Sequence, residues 1–471
     1  MRTLDGKGIE LSKEAVEGFA ASLRGDLLTP ECPGYDEARS IWNAMIDRRP
    51  ALIARCAGTA DVVASVNFAR EHGLLNSLKC GGHNIAGQAV CEDGFMIDCS
   101  GMDGVFVDPV ARTARAQAGC TLGCIDRETQ LHGLAAILGF VSTTGAAGVT
   151  VGGGFGYLTR KYGWTCDNLK SVEVVTADGQ LRTASANENE DLFWALRGGG
   201  GNFGIVTSFE FDLHPVGPEI FSGAIAWRGE DATQVMQFFR EFSAAAPPEL
   251  TCVLGLRKAP PAPWLPPEMH GQPIALVIVC HAGSVEQAEK DLAPLKAFGS
   301  PVGDVITRRP YTQQQAMLDA TQPKGRRYYW KSDYLPGIDA DCFPVLLEHF
   351  GKIASPHSAI LMFQLDGALN ELPEDHCAAG ARDTKFVLNI AGSWESPEDD
   401  AENIEWARSC WQEMRQFSTG AAYVNFMTED EGDDRLAQAY GANQARLAEL
   451  KATWDPGNLF RHNKNIVPKK P

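Results

Sequence analysis

The run Cys80-Gly81-Gly82-His83-Asn84 sets a nucleophilic imidazole and a thiol on either side of two glycines. Standing alone, such a histidine reads as a surface or core residue beside a turn, for which the glycines supply the backbone freedom. The Cys80-x-x-His83 spacing also suits zinc, but no second matching pair follows at a suitable distance. Two more glycine clusters follow: Gly145/Gly148/Gly152/Gly153/Gly154/Gly156, and Gly198–Gly201 with Gly204. Glycine lets the main chain approach a ligand with no Cβ in the way. Successive N–H groups turned inward then bind phosphate oxygens without positive side chains. Any one cluster reads most simply as tight turns. Three of them, flanked by short strands, point to a dinucleotide.

Gly199-x-Gly201-x-x-Gly204 fits G-x-G-x-x-G, but that fingerprint needs a strand before it and a helix after it. Here a helix, Glu190–Arg197, precedes and a strand, Ile205–Leu213, follows, so the nicotinamide reading fails on context. No G-x-x-x-x-G-K-[S/T] phosphate loop and no Gly-x-Ser-x-Gly elbow occur.

The elements that must hold these loops follow from pattern. Helices are expected over Leu11–Leu23, over Thr59–His72 with Thr59 as N-cap, and over Leu122–His132. Strands are expected at Ala51–Arg55, Leu74–Lys79, Phe95–Asp98, Gly104–Asp108 and Thr113–Ala118. A hairpin pairs Ser171–Thr176 with Gln180–Ser185 around Asp178-Gly179. Beyond about residue 217 longer strands (Leu254–Arg257, Ile274–Cys280, Ala359–Leu365, Lys385–Ala391) alternate with helices such as Ser284–Phe298. That pattern reads as an antiparallel sheet with helices on one face. A proline-rich loop spans residues 259–267, and a last helix runs from about Leu436 to Lys451, ending before Asp455-Pro456-Gly457.

The 471 residues include 42 basic and 60 acidic side chains, a net charge of −18. That sign opposes a general nucleic-acid or anionic-membrane binder, though not an anion in a locally basic pocket. No apolar run approaches membrane-helix length. Charges stand where an export signal would be apolar, and the thirteen cysteines are odd in number and scattered. The expectation is a cytoplasmic protein with reduced thiols.

Four separated motifs carry a specific resemblance: residues 79–87, Gly152–Asn168, Asp191–Val206, and Tyr440–Asn443 with Trp454–Phe460, Asn463 and Asn465-Ile466. In this order they resemble the berberine bridge enzyme-like flavoproteins, in the vanillyl-alcohol-oxidase group with a PCMH-type FAD domain. The resemblance implies a two-domain α+β fold, a PCMH-type FAD-binding fold plus an antiparallel-sheet substrate domain with helices on one face. The expected boundaries are an N-terminal helical segment 1–45, FAD-binding domain 46–217, substrate domain 218–420, and a C-terminal segment 421–471 returning to the FAD domain.

The same resemblance implies FAD as cofactor, bonded from His83 to the flavin 8α-methyl carbon. It implies further contacts from Lys79, Cys80, Gly81, Gly82, Asn84, Gln88, Thr143, Thr144, Gly145, Gly148, Val149, Gly153, Gly154, Tyr157, Gly204, Val206, Asn463 and Asn465. Many relatives add a cysteinyl bond, but Val141 falls at that position, so one covalent link is expected; Cys166 should pack against the cofactor. No metal is expected.

Where relatives carry a tyrosine base, Tyr423-Val424-Asn425-Phe426 presents Phe426; where plant alkaloid enzymes carry a glutamate, Asn389 falls. Neither accepts a proton. Tyr328, Tyr329, Lys331, Gln364 and Asp366 are the other candidates to face the substrate. The resulting expectation is an FAD-dependent oxidase taking hydride from a C–H bond of a small amine or alcohol of secondary-metabolite type. Reoxidation would be by O2, although Thr144 falls where relatives place a small apolar residue near the reactive flavin face. A flavin-bearing cyclase or binding protein without redox turnover is the alternative.

Overall fold

The computed structural model describes residues 1–470. Near the N-terminus a four-stranded sheet has the order Asp26–Leu28, Leu52–Arg55, Phe95–Asp98, Asn76–Lys79. The last three strands run parallel and the first antiparallel. Phe95–Asp98 is central and wholly buried, which is why it reads as a short apolar run and not an alternation. A second, antiparallel sheet has the order Val105–Asp108, Thr113–Gln117, Ile205–Asp212, Leu169–Val175, Leu181–Ser185. Helix Thr59–Glu71 lies between the two sheets, burying Val62, Val66, Phe68 and Ala69.

Thr59 is the first helical residue and not the cap. Gly58 occupies the N-cap without a side-chain bond. The Asp61 carboxylate instead gathers the backbone N–H groups of Arg24, Gly25 and Ala57 at 2.8–3.0 Å, tying the preceding strand to the helix start. The expected helix 122–132 tightens after Thr129 into a 3₁₀ turn over Gln130–His132.

The second domain is one antiparallel sheet of eight strands. Its main path runs Gly303–Asp304, Glu219–Arg228, Pro273–His281, Leu250–Lys258, Ala359–Gln364, Phe386–Trp394, Arg327–Leu335, with Thr307–Pro310 also paired to Glu219–Arg228. Alternation along each strand separates two faces. Leu254, Leu256, Ile360, Met362, Leu388 and Ile390 pack under helices Ala232–Ala245, Val285–Lys296, Phe343–Gly351 and Asp400–Met414. Val253, Phe363 and Val387 face the other way, onto Phe140, Phe155, Tyr157 and Trp164 of the first domain.

The C-terminal helix expected over 436–451 is two helices, Asp433–Tyr440 and Gln444–Trp454, broken by a 3₁₀ turn at Gly441–Asn443. Gly441 takes φ +50°, a conformation costly for other residues. The break brings Asn443 to donate to the carbonyls of Glu374 and Cys377. The tail then returns to the first domain. Buried Lys451 donates to Asp455 (2.7 Å) and to the carbonyls of Asn202 (2.6 Å) and Phe460 (3.0 Å). Asp455 in turn accepts from the N–H groups of Leu459 and Phe460.

Candidate FAD and substrate site

A cavity of about 810 Å³ lies between the glycine loops and the open face of the eight-stranded sheet. Its narrowest constraint is a backbone crossing. A Cβ on Gly81 would lie 2.4 Å from Gly145 Cα, and one on Gly145 would lie 2.7 Å from Gly81 Cα. Only two glycines let these loops touch. Gly82 follows with φ +67°, turning the chain so that His83 enters the cavity wall.

The His83 ring is held from behind. Trp42 stacks on it with centroids 4.3 Å apart and 19° between planes, and Tyr328 covers the other side of Trp42 at 3.6 Å. Trp42 is fixed in turn by its N–H to Gly82 O (3.0 Å) and its indole N–H to Gln322 O (2.9 Å). Asn43 locks the same corner, donating to Ile85 O and Tyr328 O and accepting from Tyr328 N. His83 Nε2 is buried without a hydrogen-bond partner, and burial pulls the imidazole pKa down to about 4. The ring is therefore neutral and unprotonated over the physiological range, the form a nucleophilic nitrogen needs.

Other wall atoms are also left without partners: Asn389 Oδ1, Gln322 Oε1, Trp330 Nε1, Tyr440 Oη and Asn463 Oδ1. Buried polar groups in native proteins are nearly always satisfied, so six unpaired atoms around one cavity mark a place for a polar ligand. Among the described residues no aspartate or glutamate lines the cavity, although the chain has 60. A glycine-lined wall with orphaned donors and acceptors fits a pyrophosphate-bearing dinucleotide such as FAD.

Of the residues expected to contact the cofactor, Cys80, Gly81, Gly82, His83, Asn84 and Gln88 line the cavity, as do Thr144, Gly145, Gly148, Val149, Gly204, Val206 and Asn463. Val141 lines it too. Lys79 does not: its ammonium is buried against Ala38 O (2.6 Å) and lies 3.5 Å from Asp98. Thr143 is exposed on the outer side of its turn. Gly153 and Gly154 form a positive-φ turn packed on Tyr423 and Thr165, behind the wall. Tyr157 is buried edge-on to Phe140, and Asn465 lies off the wall with Oδ1 unpaired. Cys166 packs on Cys377, Sγ to Sγ 3.9 Å, away from the cavity. Asp167 beside it is clasped by both Arg382 nitrogens at 2.7 Å.

On the substrate side Asn389 and Phe426 line the cavity. Tyr328, Lys331 and Gln364 do not. Tyr328 spends its hydroxyl on Pro323 O (2.6 Å) and its ring on Trp42. Lys331 points to the opposite face of the sheet, bonded to Thr428 (2.9 Å) and Asp430 (3.1 Å). Gln364 likewise turns away, to Ser243 O and Asp366. Tyr329 binds Asp430 and Arg408, and Asp366 binds Arg160. The wall is instead made by Trp330, Leu361, Phe363, Phe140 and Phe155, with Arg257, Arg326 and His357 at one edge. Nothing in the sequence marked Trp42 or Trp330, since each acts through contacts with chain segments far away in sequence.

Comparison with known proteins gives an FAD-binding family. Residues 50–185 match the family model for an FAD binding domain, and residues 422–467 match the model described as berberine and berberine like. The chain is 37% identical over 491 aligned positions to the FAD-linked oxidoreductase pgmH of Aspergillus terreus, covering 98% of this chain and 97% of that one. It is 29% identical to (R)-6-hydroxynicotine oxidase of Paenarthrobacter nicotinovorans, covering 95% and 97%. The crystal structure of 6-hydroxy-D-nicotine oxidase from Arthrobacter nicotinovorans superposes with a TM-score of 0.86 at 27% identity, over 98% of this chain and all of that one. With its glycine-on-glycine loop crossing and its returning C-terminal segment, this chain belongs to the berberine bridge enzyme-like family of FAD-linked oxidoreductases.

Proposed function

We propose that the protein is an oxidase whose FAD is tethered by a single covalent bond from His83, and that it oxidises a small amine or alcohol. The observation that carries this reading is the buried, unpartnered His83 Nε2, in a neutral imidazole held flat by Trp42. Val141 on the wall offers no thiol for a second link, and Cys166 is turned to Cys377. Gly81, Gly82, Gly145 and Gly148 would cradle the phosphates, Gly204 and Val206 the adenine side, and Asn463 the flavin or its ribityl chain. Bound FAD supplies the acceptor for a hydride from a substrate C–H bond, with O2 as the final oxidant and hydrogen peroxide as product.

The chain's own residues shape that step. Trp330, Phe426, Phe155 and Phe363 make a dry aromatic box, Trp330 and Phe426 meeting edge-on at 5.1 Å. Asn389 Oδ1, unpaired on the wall, accepts an N–H or O–H of the substrate and orients the carbon beside it. Among the described residues no carboxylate side chain lines the cavity to take a proton. That favours an amine, whose nitrogen lone pair stabilises the cation left by hydride loss. A wall carrying arginines and no acid also keeps such an amine unprotonated. The likeness to (R)-6-hydroxynicotine oxidase supports the amine. The missing base equally suits a flavin-bearing cyclase or binder on the same scaffold.

Two measurements decide. Acid-precipitated protein should stay yellow, with the added flavin mass on the peptide containing His83. Anaerobic addition of a substrate should bleach the flavin; a ligand that is turned over without bleaching identifies the cyclase.

A further inference from the structure

Register lays the cavity face of the eight-stranded sheet out in rows. Arg257 stands opposite Ala359, Ala359 opposite Ala391, and Ala391 opposite Trp330. This row crosses three strand spacings, roughly 14 Å. Its two middle members are alanines, so the floor along this row is a trough, walled on one side by Leu361 and Asn389 of the next row. At one end Trp330 touches Phe426 and, at 5.4 Å, Trp42, which lies on His83. That is the end at which the flavin tether sits.

The other end is basic. The Arg257 guanidinium lines the cavity and bonds only to two main-chain carbonyls, Lys258 O (3.1 Å) and Pro356 O (3.4 Å). Burial and the nearby Arg326 charge pull its pKa down to about 10, the mark of a cation without a counter-ion. His357, in the turn before strand Ala359–Gln364, and Arg326, just before strand Arg327–Leu335, line the cavity beside it. Among the described residues the acid paired with them is Glu395, 72% exposed, at 3.2 Å from His357 Nε2 and 3.9 Å from Arg326. A half-buried guanidinium with no acid costs free energy that an anionic ligand would return. The cofactor phosphates do not need it, because the glycine cradle lies on the other domain.

We propose that Arg257, with Arg326 and His357 beside it, binds a carboxylate of the substrate at the end of the trough remote from the carbon oxidised. The substrate is then an amine or alcohol with an apolar body and an acid at its far end. Which end reacts rests on the function proposed above; the acid recognition itself does not.

The test uses the purified flavin-loaded protein and calorimetric titration with 3-phenylpropionate and its neutral amide, 3-phenylpropionamide. The acid should bind about tenfold or more tighter than the amide, as expected for charged hydrogen bonds. Arg257→Gln should bring the two within about twofold, and Arg257→Lys should keep most of the preference. Unchanged melting temperature and flavin-to-protein absorbance ratio certify each variant. Equal affinities, no measurable binding of the acid, or a preference that survives in the Arg257→Gln/Arg326→Gln double variant overturns the proposal. A colourless denatured chain would refute the His83 tether and leave this comparison standing. A missing acid preference in a yellow protein would refute the acid site alone.

Discussion

The Trp42 indole lies flat between His83 at 4.3 Å and Tyr328 at 3.6 Å, joining the loop of residues 80–84 to the eight-stranded sheet through one aromatic stack. If that stack aims the imidazole, Trp42→Ala should lose acid-stable flavin as well as about 3–5 kcal/mol of stability. Trp42→Phe should keep a ring on His83 and retain most of both. The ratio of covalent to extractable flavin, measured beside the urea midpoint, separates aim from folding.

The crossing of Gly81 over Gly145 predicts a contrast between neighbouring glycines. Gly145→Ala puts a methyl into Gly81's backbone and should cost about 1–3 kcal/mol, with loss of flavin. Gly148→Ala meets nothing within 4 Å, so the flavin-free protein should melt where the wild type does. Because Gly148 lines the cavity, its flavin retention should nevertheless fall.

The glycine clusters were legible because a backbone that must touch something leaves a compositional trace whatever the fold around it. Side-chain direction on the sheet was not. Lys331 and Gln364 sit one residue from wall positions, Trp330 and Phe363, and in a strand one residue is the opposite face. Both faces of this sheet are covered, so polar and apolar residues do not announce which side is which. Tyr328 has the right parity, yet a stack with a residue 286 positions away in sequence occupies it. The helix break at Gly441 was similarly hidden, since its reason is the bond from Asn443 to a distant loop.

Acid should weaken the flavin-free protein through His83. Folding holds this imidazole neutral down to about pH 4, whereas the unfolded chain binds a proton near 6.5. The unfolded state thus carries the extra proton between those values, and stability rises with pH across the window and is lost as pH falls through it. The slope is about 1.4 kcal/mol per pH unit for one proton. His214, His357, His376 and His462 are shifted the same way by burial, so the comparison must be with His83→Asn. The variant should show a shallower dependence by about one proton in urea titrations between pH 4 and 6.5.

Lys451 holds the tail that carries Asn463 and Lys464 to the cavity. Lys451→Met would leave Asp455 buried without its cation, a change that costs about 3–5 kcal/mol. Loss of stability should come with faster proteolysis beyond Asp455 and lower flavin content. Lys469→Met, at an exposed ion pair with Glu449, should do neither, since such pairs are worth little.

Asn389 faces the cavity with Oδ1 buried and unpaired. An unmet carbonyl of this kind costs about 1–3 kcal/mol. Fold stability alone would favour an apolar residue of the same size, since Asn389 is paired across the sheet with Leu361 and Ser332. Asn389→Leu should therefore raise the melting temperature of the flavin-loaded protein. If the oxygen serves to orient substrate, the same variant should raise KM or lower kcat by about tenfold, the worth of one hydrogen bond in a dry site. A variant that is more stable and equally active would remove Asn389 from the site. The opposite movement of melting temperature and turnover is the outcome expected of a residue kept for binding at the expense of the fold.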